Sequence, residues 1–149
     1  MASVPELAYD SLGFYTIVLY NQPNGHVNAM RIEDDFSDLT LDKPFIRFFH
    51  MSPTVSDLGP VDLYMDNTKI SSQRTLADNN FGSYFNEFQP TTTGYHSFQV
   101  KLSSRDTVIA KTNTDLSLLA GNAYTIYLAG NAGGTGANAI NLGMLRAAN

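Results

Sequence analysis

The chain contains the same β-hairpin pattern twice, and this repetition constrains its architecture more than any other feature. Residues 13–20 read Gly-Phe-Tyr-Thr-Ile-Val-Leu-Tyr, and Val-Asn-Ala-Met follows at 27–30 after a turn. Residues 122–129 read Asn-Ala-Tyr-Thr-Ile-Tyr-Leu-Ala, and Ala-Asn-Ala-Ile follows at 137–140 after a glycine-rich turn. Internal repetition marks a repeated structural unit. We therefore expect one complete domain after the first hairpin, which itself resembles the end of a preceding copy.

Most of the chain alternates apolar and polar residues with the two-residue period of a β-strand. Residues 61–66 read Val-Asp-Leu-Tyr-Met-Asp, and Asn67 then supplies turn chemistry. Residues 95–102 place Phe98, Val100 and Leu102 on one face. Short strands separated by turn signals are typical of antiparallel sandwiches and barrels. We predict an all-β fold, an immunoglobulin-like antiparallel β-sandwich of about seven strands with an extra N-terminal β-hairpin. Further strands are predicted at 14–20, 45–51, 107–112, 123–129 and 139–145, with a short helical turn within 73–80.

An acidic stretch separates the first hairpin from the remaining strands and ends at Lys43-Pro44, where proline favours an extended residue before it. We assign residues 1–36 to the hairpin, 37–44 to an acidic linker and 45–149 to the sandwich. An isolated two-stranded hairpin is marginally stable in water. We therefore expect it to bury the face formed by Tyr15, Ile17 and Leu19 on the following domain or on a second molecule.

Composition excludes several classes of protein. The 149 residues carry a net charge of -5, with 43% hydrophobic and only 15% charged residues. This charge argues against nucleic-acid binding, and no stretch is long and apolar enough for a transmembrane helix. The chain has no cysteine, which excludes disulfides and thiolate metal sites. The first residues do not read as a secretory signal, so we expect any leader to lie outside this sequence.

From Phe45 onward, a series of motifs resembles the family called domain of unknown function 4397, over about residues 45 to 146. The family's "VRFVHASP" and "VDVYVDG" are matched by Ile-Arg-Phe-Phe-His-Met-Ser-Pro at 46–53 and Val-Asp-Leu-Tyr-Met-Asp at 61–66. Its "LAFGSVSPY", "AGTHTVQV" and "LAAGKDYTV" resemble residues 76–84, 94–100 and 119–125.

This resemblance implies a bacterial β-sandwich that is secreted or anchored to the cell envelope, often in tandem copies and often on lipoproteins. We accordingly expect an extracytoplasmic location, periplasmic or on the outer-membrane surface. Membrane contact would come only through a lipid anchor outside this sequence. The family brings no activity and no catalytic residue.

Several motif residues are predicted to serve the structure. We interpret His50 as a buried histidine that hydrogen-bonds the backbone and fixes the turn at Ser52-Pro53, with a base or ligand role as the alternative. Arg47 and Asp62 are predicted to form a partly buried ion pair, because we expect their strands to be adjacent. Tyr64, in the motif at residues 61–66, is also assigned a structural role.

Ligand contact is predicted at four positions. Tyr84 and Tyr95 are candidate anchors, because exposed aromatic rings make stacking platforms at small entropic cost. Asp57 and Asn131 lie in loops 54–60 and 131–136, which we expect at one end of the sandwich.

We expect no cofactor, with calcium left open because it prefers oxygen ligands. Zinc usually needs three protein ligands, and the three histidines have no near spacing. The carboxylates considered for calcium are Glu33, Asp34, Asp35, Asp38 and Asp42, and more weakly Asp57, Asp62 and Asp66. A solvated acidic linker is the favoured interpretation of the first group.

The sequence contains no catalytic constellation, so we predict a non-catalytic, cell-surface module for adhesion or ligand binding. Its partner would be a protein or a glycan, and the N-terminal hairpin offers a route to a homo-oligomer. Two alternatives stay open. One is a structural spacer in a tandem surface lipoprotein, and the other is a hydrolase whose site residues converge only in space.

Overall fold

The computed structural model describes residues 11–21, 26–80 and 85–148, and these residues fold mainly as β-strands. The strands are β1 (Phe14–Asn21), β2 (Val27–Asp34), β3 (Phe45–His50), β4 (Val61–Met65), β5 (Thr68–Arg74), β6 (Gln89–Pro90), β7 (Gly94–His96), β8 (Phe98–Leu102), β9 (Val108–Lys111), β10 (Leu116–Leu118), β11 (Ala123–Ala129) and β12 (Asn141–Ala148). The short helices are α1 (Pro53–Ser56) and the 3-10 turns Ala77–Asn80 and Gly136–Asn138. Within the described ranges, no helix has the length and apolar character needed to cross a membrane.

Eight strands form two four-stranded sheets that face each other as a sandwich. We call β12-β11-β3-β6 the front sheet and β5-β4-β8-β9 the back sheet, while β7 and β10 pair separately. The predicted all-β sandwich is confirmed. One pairing departs from the antiparallel expectation, because β3 and β11 run parallel, with Phe45 opposite Ala123 and His50 opposite Leu128.

The main core lies between the two sheets. Alternate residues of each strand point inward, so every second side chain of β3, β4, β8 and β11 is buried there. Its most deeply buried members are 0–3% exposed, and each such side chain contributes about 1.5–3 kcal/mol of transfer free energy. They include Phe48, Leu63, Phe98, Val100, Ile126 and Leu128.

The turn between β4 and β5 follows directly from the sequence. Met65 pairs with Thr68, so the hairpin closes through Asp66 and Asn67 alone. Both turn residues have positive φ, +48° and +69°, as a two-residue hairpin turn matching the strand twist requires. The turn chemistry predicted for Asn67 is confirmed.

The N-terminal hairpin forms a third layer on the outer face of the front sheet. β1 and β2 pair antiparallel along their whole length. A second buried cluster joins the layers, formed by Val18, Tyr20, Met30 and Ile32 of the hairpin and Phe49 of β3. All six residues of β3 are buried as a result. The predicted packing of the hairpin on the following domain is confirmed.

The hairpin uses the opposite face from the one we assigned. Ile17 and Leu19 are 48% and 62% exposed, whereas Val18 and Tyr20 are 8% and 7% exposed. Both faces of β1 carry apolar side chains, so the two-residue period did not identify the buried one. The buried face is the one that carries Thr16, because Thr16 hydrogen-bonds both members of the buried Arg47–Asp34 ion pair.

Arg47 of β3 lies at the centre of the contact between the hairpin and the front sheet. Its Nη1 lies 2.6 Å from the Asp34 carboxylate of β2, and both side chains are nearly fully buried. Its Nε donates to Thr125 Oγ1 at 2.9 Å, and its Nη2 donates to Thr16 Oγ1 at 3.1 Å. The guanidinium also stacks 4.3 Å from the ring centroid of Phe88. Nε and Nη2 are therefore hydrogen-bonded and Nη1 is in ion-pair contact with Asp34, and the hairpin supplies two of the three partner side chains.

The ion pair predicted between Arg47 and Asp62 is wrong. β3 belongs to the front sheet and β4 to the back sheet, so the two residues do not lie on adjacent strands. Asp62 is instead held by Lys69 Nζ at 2.7 Å, by the Gln73 amide at 2.9 Å and by the Ser103 hydroxyl. Burial alone would raise the pKa of Asp62, but these hydrogen bonds lower it overall.

Candidate functional site

Ser52 fixes the geometry at one end of the sandwich, where β3 leads into α1. Its Oγ donates to the Gly130 carbonyl at 2.6 Å and accepts the Val55 amide of α1 at 3.4 Å. Pro53 follows in the first turn of α1, where its missing N–H has no intrahelical role. Ser52 and Pro53 thus form the start of α1.

A second contact joins the two loops in which we placed candidate ligand residues. The Ala132 amide donates to Thr54 Oγ1 at 2.7 Å. Within the second loop, the Asn131 amide donates to the Asn138 carbonyl at 2.9 Å. Residues 52–60 and 130–138 therefore form one surface, which we call the loop end. Asp57 is exposed on it and Asn131 is half-buried.

A crevice of about 240 Å³ lies between the loop end and the hairpin. Its polar side chains are mainly amides, from Asn21, Asn131 and Asn138, and these groups both donate and accept hydrogen bonds. Its volume is below the roughly 300–1,000 Å³ of sites that enclose small ligands. The crevice therefore suits contact with part of a larger ligand. Its remaining walls are Leu19, Tyr20, Val27, Met51, Pro53, Ala129, Gly130 and Ala137.

The four predicted ligand residues do not form one site. Val61 pairs with Leu102 and Met65 with Phe98, so the segment before β4 and the segment before β8 lie at opposite ends of the sandwich. Tyr95 is 75% exposed, at the end away from Asp57 and Asn131. Tyr84 lies outside the described residues.

Tyr64 lies on the outer face of the back sheet. Its ring is 4.7 Å from Lys101 Nζ and 5.9 Å from Lys69 Nζ. Contacts of this length are cation–π interactions, which stabilise modestly at partly exposed sites.

His50 lies inside the protein, as its structural interpretation predicted. Its side chain is fully buried, and its Nδ1 accepts the Ser52 amide at 3.3 Å. Asn79 Nδ2 donates to the His50 carbonyl at 2.7 Å, which ties the 3-10 turn to the end of β3. A ligand at the surface has no access to this imidazole.

Substituting His50 with glutamine should alter how stability depends on pH. Burial, and then the nearby Arg74 guanidinium, lower the pKa of His50 from 6.5 to about 4, against an opposing effect of Asp78. Between these values the unfolded chain binds more protons than the folded protein. The contribution of neutral His50 is therefore complete above about pH 6.5 and declines as pH falls toward 4.

The decline should amount to about 3 kcal/mol, from the size of the pKa change. Urea unfolding between pH 7 and pH 4 measures it, with His50→Gln as the non-titrating comparison. The stability difference between the two proteins should shrink by this amount toward pH 4. Parallel profiles would show that His50 does not titrate in this way.

Arg74 is a buried cation that sequence reasoning missed. Its Nε contacts Asp78 at 3.2 Å and its Nη2 donates to the Phe85 carbonyl at 3.2 Å. It lines a groove of about 530 Å³ at the open side of the sandwich, between β5 and β6. Through these contacts Arg74 ties the end of β5 to Asp78 and to Phe85. The sequence offered one signal, an Arg-x-x-x-Asp spacing.

Asp66, His96 and Ser97 come together without forming a catalytic triad. His96 Nδ1 lies 2.5 Å from Asp66, and its Nε2 lies 3.0 Å from the Thr92 carbonyl. Ser97 Oγ donates to Asp66 at 3.2 Å. A nucleophile needs a base on its hydroxyl, whereas this serine contacts only the acid. The hydrogen bond from His96 lowers the pKa of Asp66. The same bond links the β4–β5 turn to β7.

The acidic residues considered for calcium are dispersed. Asp34 pairs with Arg47, Asp35 accepts the Ser37 amide at 2.9 Å, and Asp42 accepts the Thr40 hydroxyl. Among residues 11–21, 26–80 and 85–148, no three histidine or acidic side chains are grouped closely enough to hold a metal ion.

Comparison of the sequence with models of known protein families and with curated proteins found no match.

Proposed function

We propose that the chain is a non-catalytic, extracytoplasmic module that binds a protein or carbohydrate through the loop end. The observation that carries this proposal is the bond between the Ala132 amide and Thr54 Oγ1, which joins two loops into one surface. Amide side chains in the adjoining crevice can recognise hydroxyl or peptide groups. The envelope location rests on the motif resemblance.

The arrangement of His50 and His96 argues against catalysis by a histidine base. His50 is buried, and the ring of His96 lies between Asp66 and the Thr92 carbonyl. The four grooves described for this structure, of about 240 to 530 Å³, have neither histidine in their walls. A hydrolase would therefore have to use a carboxylate as its base, such as Glu33 or Glu87 in the groove of about 440 Å³.

Replacing both Asn131 and Asn138 with alanine should weaken ligand binding at least ~10-fold, because two hydrogen-bonding amides leave the crevice. Glycan and surface-protein arrays probed with the full chain would identify the ligand, and titration of the double variant would measure the loss. Tyr95→Ser, at the opposite end, is the control and should change affinity by less than about 2-fold. A ligand lost with Tyr95→Ser and retained by the double variant would place binding elsewhere.

The second candidate is a structural spacer. It is favoured by the hairpin layer, which the buried Arg47–Asp34 pair fixes to the front sheet as a rigid joint. A spacer would give no specific signal on either array, whereas a binding module would give one that depends on the loop end.

A further inference from the structure

The internal repeat relates each face of β1 to a face of β11. Aligning β1 with β11 places Tyr15, Thr16, Ile17 and Leu19 on the identical residues Tyr124, Thr125, Ile126 and Leu128. In β11, Tyr124, Ile126 and Leu128 are 0–4% exposed and belong to the main core. Their counterparts in β1 point away from the sandwich.

The two copies meet through equivalent faces. Thr16 and Thr125 occupy the same position in the repeat, and both hydroxyls accept hydrogen bonds from the Arg47 guanidinium. The hairpin thus turns the equivalent of β11's outer face toward the front sheet. The face of β1 that points to solvent is therefore equivalent to the face of β11 that packs in the main core. This equivalence explains why the apolar residues Ile17 and Leu19 are 48% and 62% exposed.

The edge of β1 away from β2 has a counterpart in the same alignment. β11 pairs with β12 on one edge and with β3, in parallel, on the other. β1 pairs with β2 on one edge, and no described strand pairs with its other edge. Among the described strands, none occupies beside β1 the position that β3 occupies beside β11.

A groove of about 480 Å³ lies along this edge. Six consecutive residues of β1, 14–19, form one wall, and β2 contributes only Asp34, which places the groove on the side of β1 away from β2. Tyr127, Leu145 and Ala147 of the front sheet also line it. Leu145 is 59% exposed there.

We propose that β1 and this groove accept a parallel β-strand of the β3 type from a β-sandwich that precedes Gly13 in the same polypeptide. Backbone hydrogen bonds to the β1 edge would hold the strand, as in β-strand addition. The second sheet of that sandwich would cover Ile17 and Leu19, as the back sheet covers Ile126 and Leu128. A second copy of this chain fits less well, because its own β3 already pairs on both edges and is buried on both faces.

The test uses the full chain and a synthetic peptide of residues 44–51 carrying a soluble lysine tag. Nuclear magnetic resonance titration should give saturable shifts along β1 and at Leu145, and a scrambled peptide should give none. Ile17→Lys should weaken binding at least ~10-fold, because it places a charge on the face that the partner covers. Val108→Lys is the matched control, since Val108 is 46% exposed on edge strand β9, and it should change affinity less than about 2-fold.

A covalent version removes the limit of weak affinity. The same strand is fused before residue 11 through a flexible linker of about 12 residues, long enough for a parallel crossover. Local concentrations then reach the millimolar range, and the melting temperature should exceed that of a scrambled fusion. The proposal is overturned if neither peptide nor fusion engages β1, or if Ile17→Lys has no effect. It is equally overturned if light scattering shows a dimer that Ile17→Lys dissociates, since a second copy would then be the occupant.

Discussion

Replacing Arg47 with alanine is expected to destabilise the protein by about 3–5 kcal/mol, the loss typical of breaking a buried ion pair. The substitution leaves the Asp34 carboxylate buried beside apolar side chains, with Thr16 still donating to it at 2.7 Å. It also removes a guanidinium that packs 4.6 Å from the centroid of Phe49. Urea unfolding at pH 7 measures the change. The control is Asp106→Ala, whose ion pair with Lys101 is at the surface and should contribute less than about 1 kcal/mol.

A double substitution separates two contributions to this loss of stability, the unpaired Asp34 charge and the lost packing of Arg47. Replacing Arg47 with methionine and Asp34 with leucine removes both charges while keeping most of the volume, and such exchanges are often neutral or stabilising. We expect the double variant to recover at least half of the stability lost by Arg47→Ala. If the double variant is as unstable as the single one, the loss reflects packing and hydrogen bonds to Thr16 and Thr125, and the charge argument fails.

Replacing Phe49 with alanine is expected to cost about 3–5 kcal/mol, as for other buried phenylalanines. Phe49 is 1% exposed and joins the hairpin cluster to β3. If the hairpin and the sandwich unfold together, this loss appears in the stability of the whole chain. Urea unfolding followed by far-ultraviolet circular dichroism measures it, and amide hydrogen exchange shows which strands open first.

Phe48 provides the matched comparison, since it is the neighbouring residue of β3 and points into the main core at 3% exposure. Phe48→Ala should cost a similar amount and raise exchange in β4, β8 and β11. Phe49→Ala should raise exchange first in β1 and β2. An unchanged unfolding midpoint in Phe49→Ala, with faster exchange confined to the hairpin, would show that the hairpin is a separately unfolding element.

The elements that the sequence predicted are those set by local patterns. The alternation at Val61–Met65 and Phe98–Leu102 gave strands with the correct inner faces, because each has a single apolar face. Two-residue turn chemistry at Asn67 and proline after Ser52 were equally local. The strand Thr68–Arg74 was missed because it is an exposed edge strand with almost no apolar face.

The rest depends on which strands become neighbours. Arg47 was matched with Asp62 because their motifs follow each other along the chain, yet the two strands lie in different sheets. The true partner, Asp34, lay in a stretch that we interpreted as a solvated linker. Loops 54–60 and 131–136 do lie together, as expected, since the Ala132 amide contacts Thr54. The position of Tyr95 at the opposite end depends on the strand register, which the sequence did not show.

The double-sided burial of β3 has a consequence for how the protein is made. Phe-Ile-Arg-Phe-Phe-His has no polar face, and such apolar segments aggregate when exposed during folding. Its parallel partner β11 leaves the ribosome 78 residues later, as the separation of Arg47 and Thr125 shows. The hairpin is synthesised before β3, so it can cover Arg47 and Phe49 on the outer face of β3. The inner face of β3 stays exposed until the remaining strands of the sandwich are synthesised. The order of synthesis therefore allows the hairpin to cover one face of β3 before β11 is available for the other.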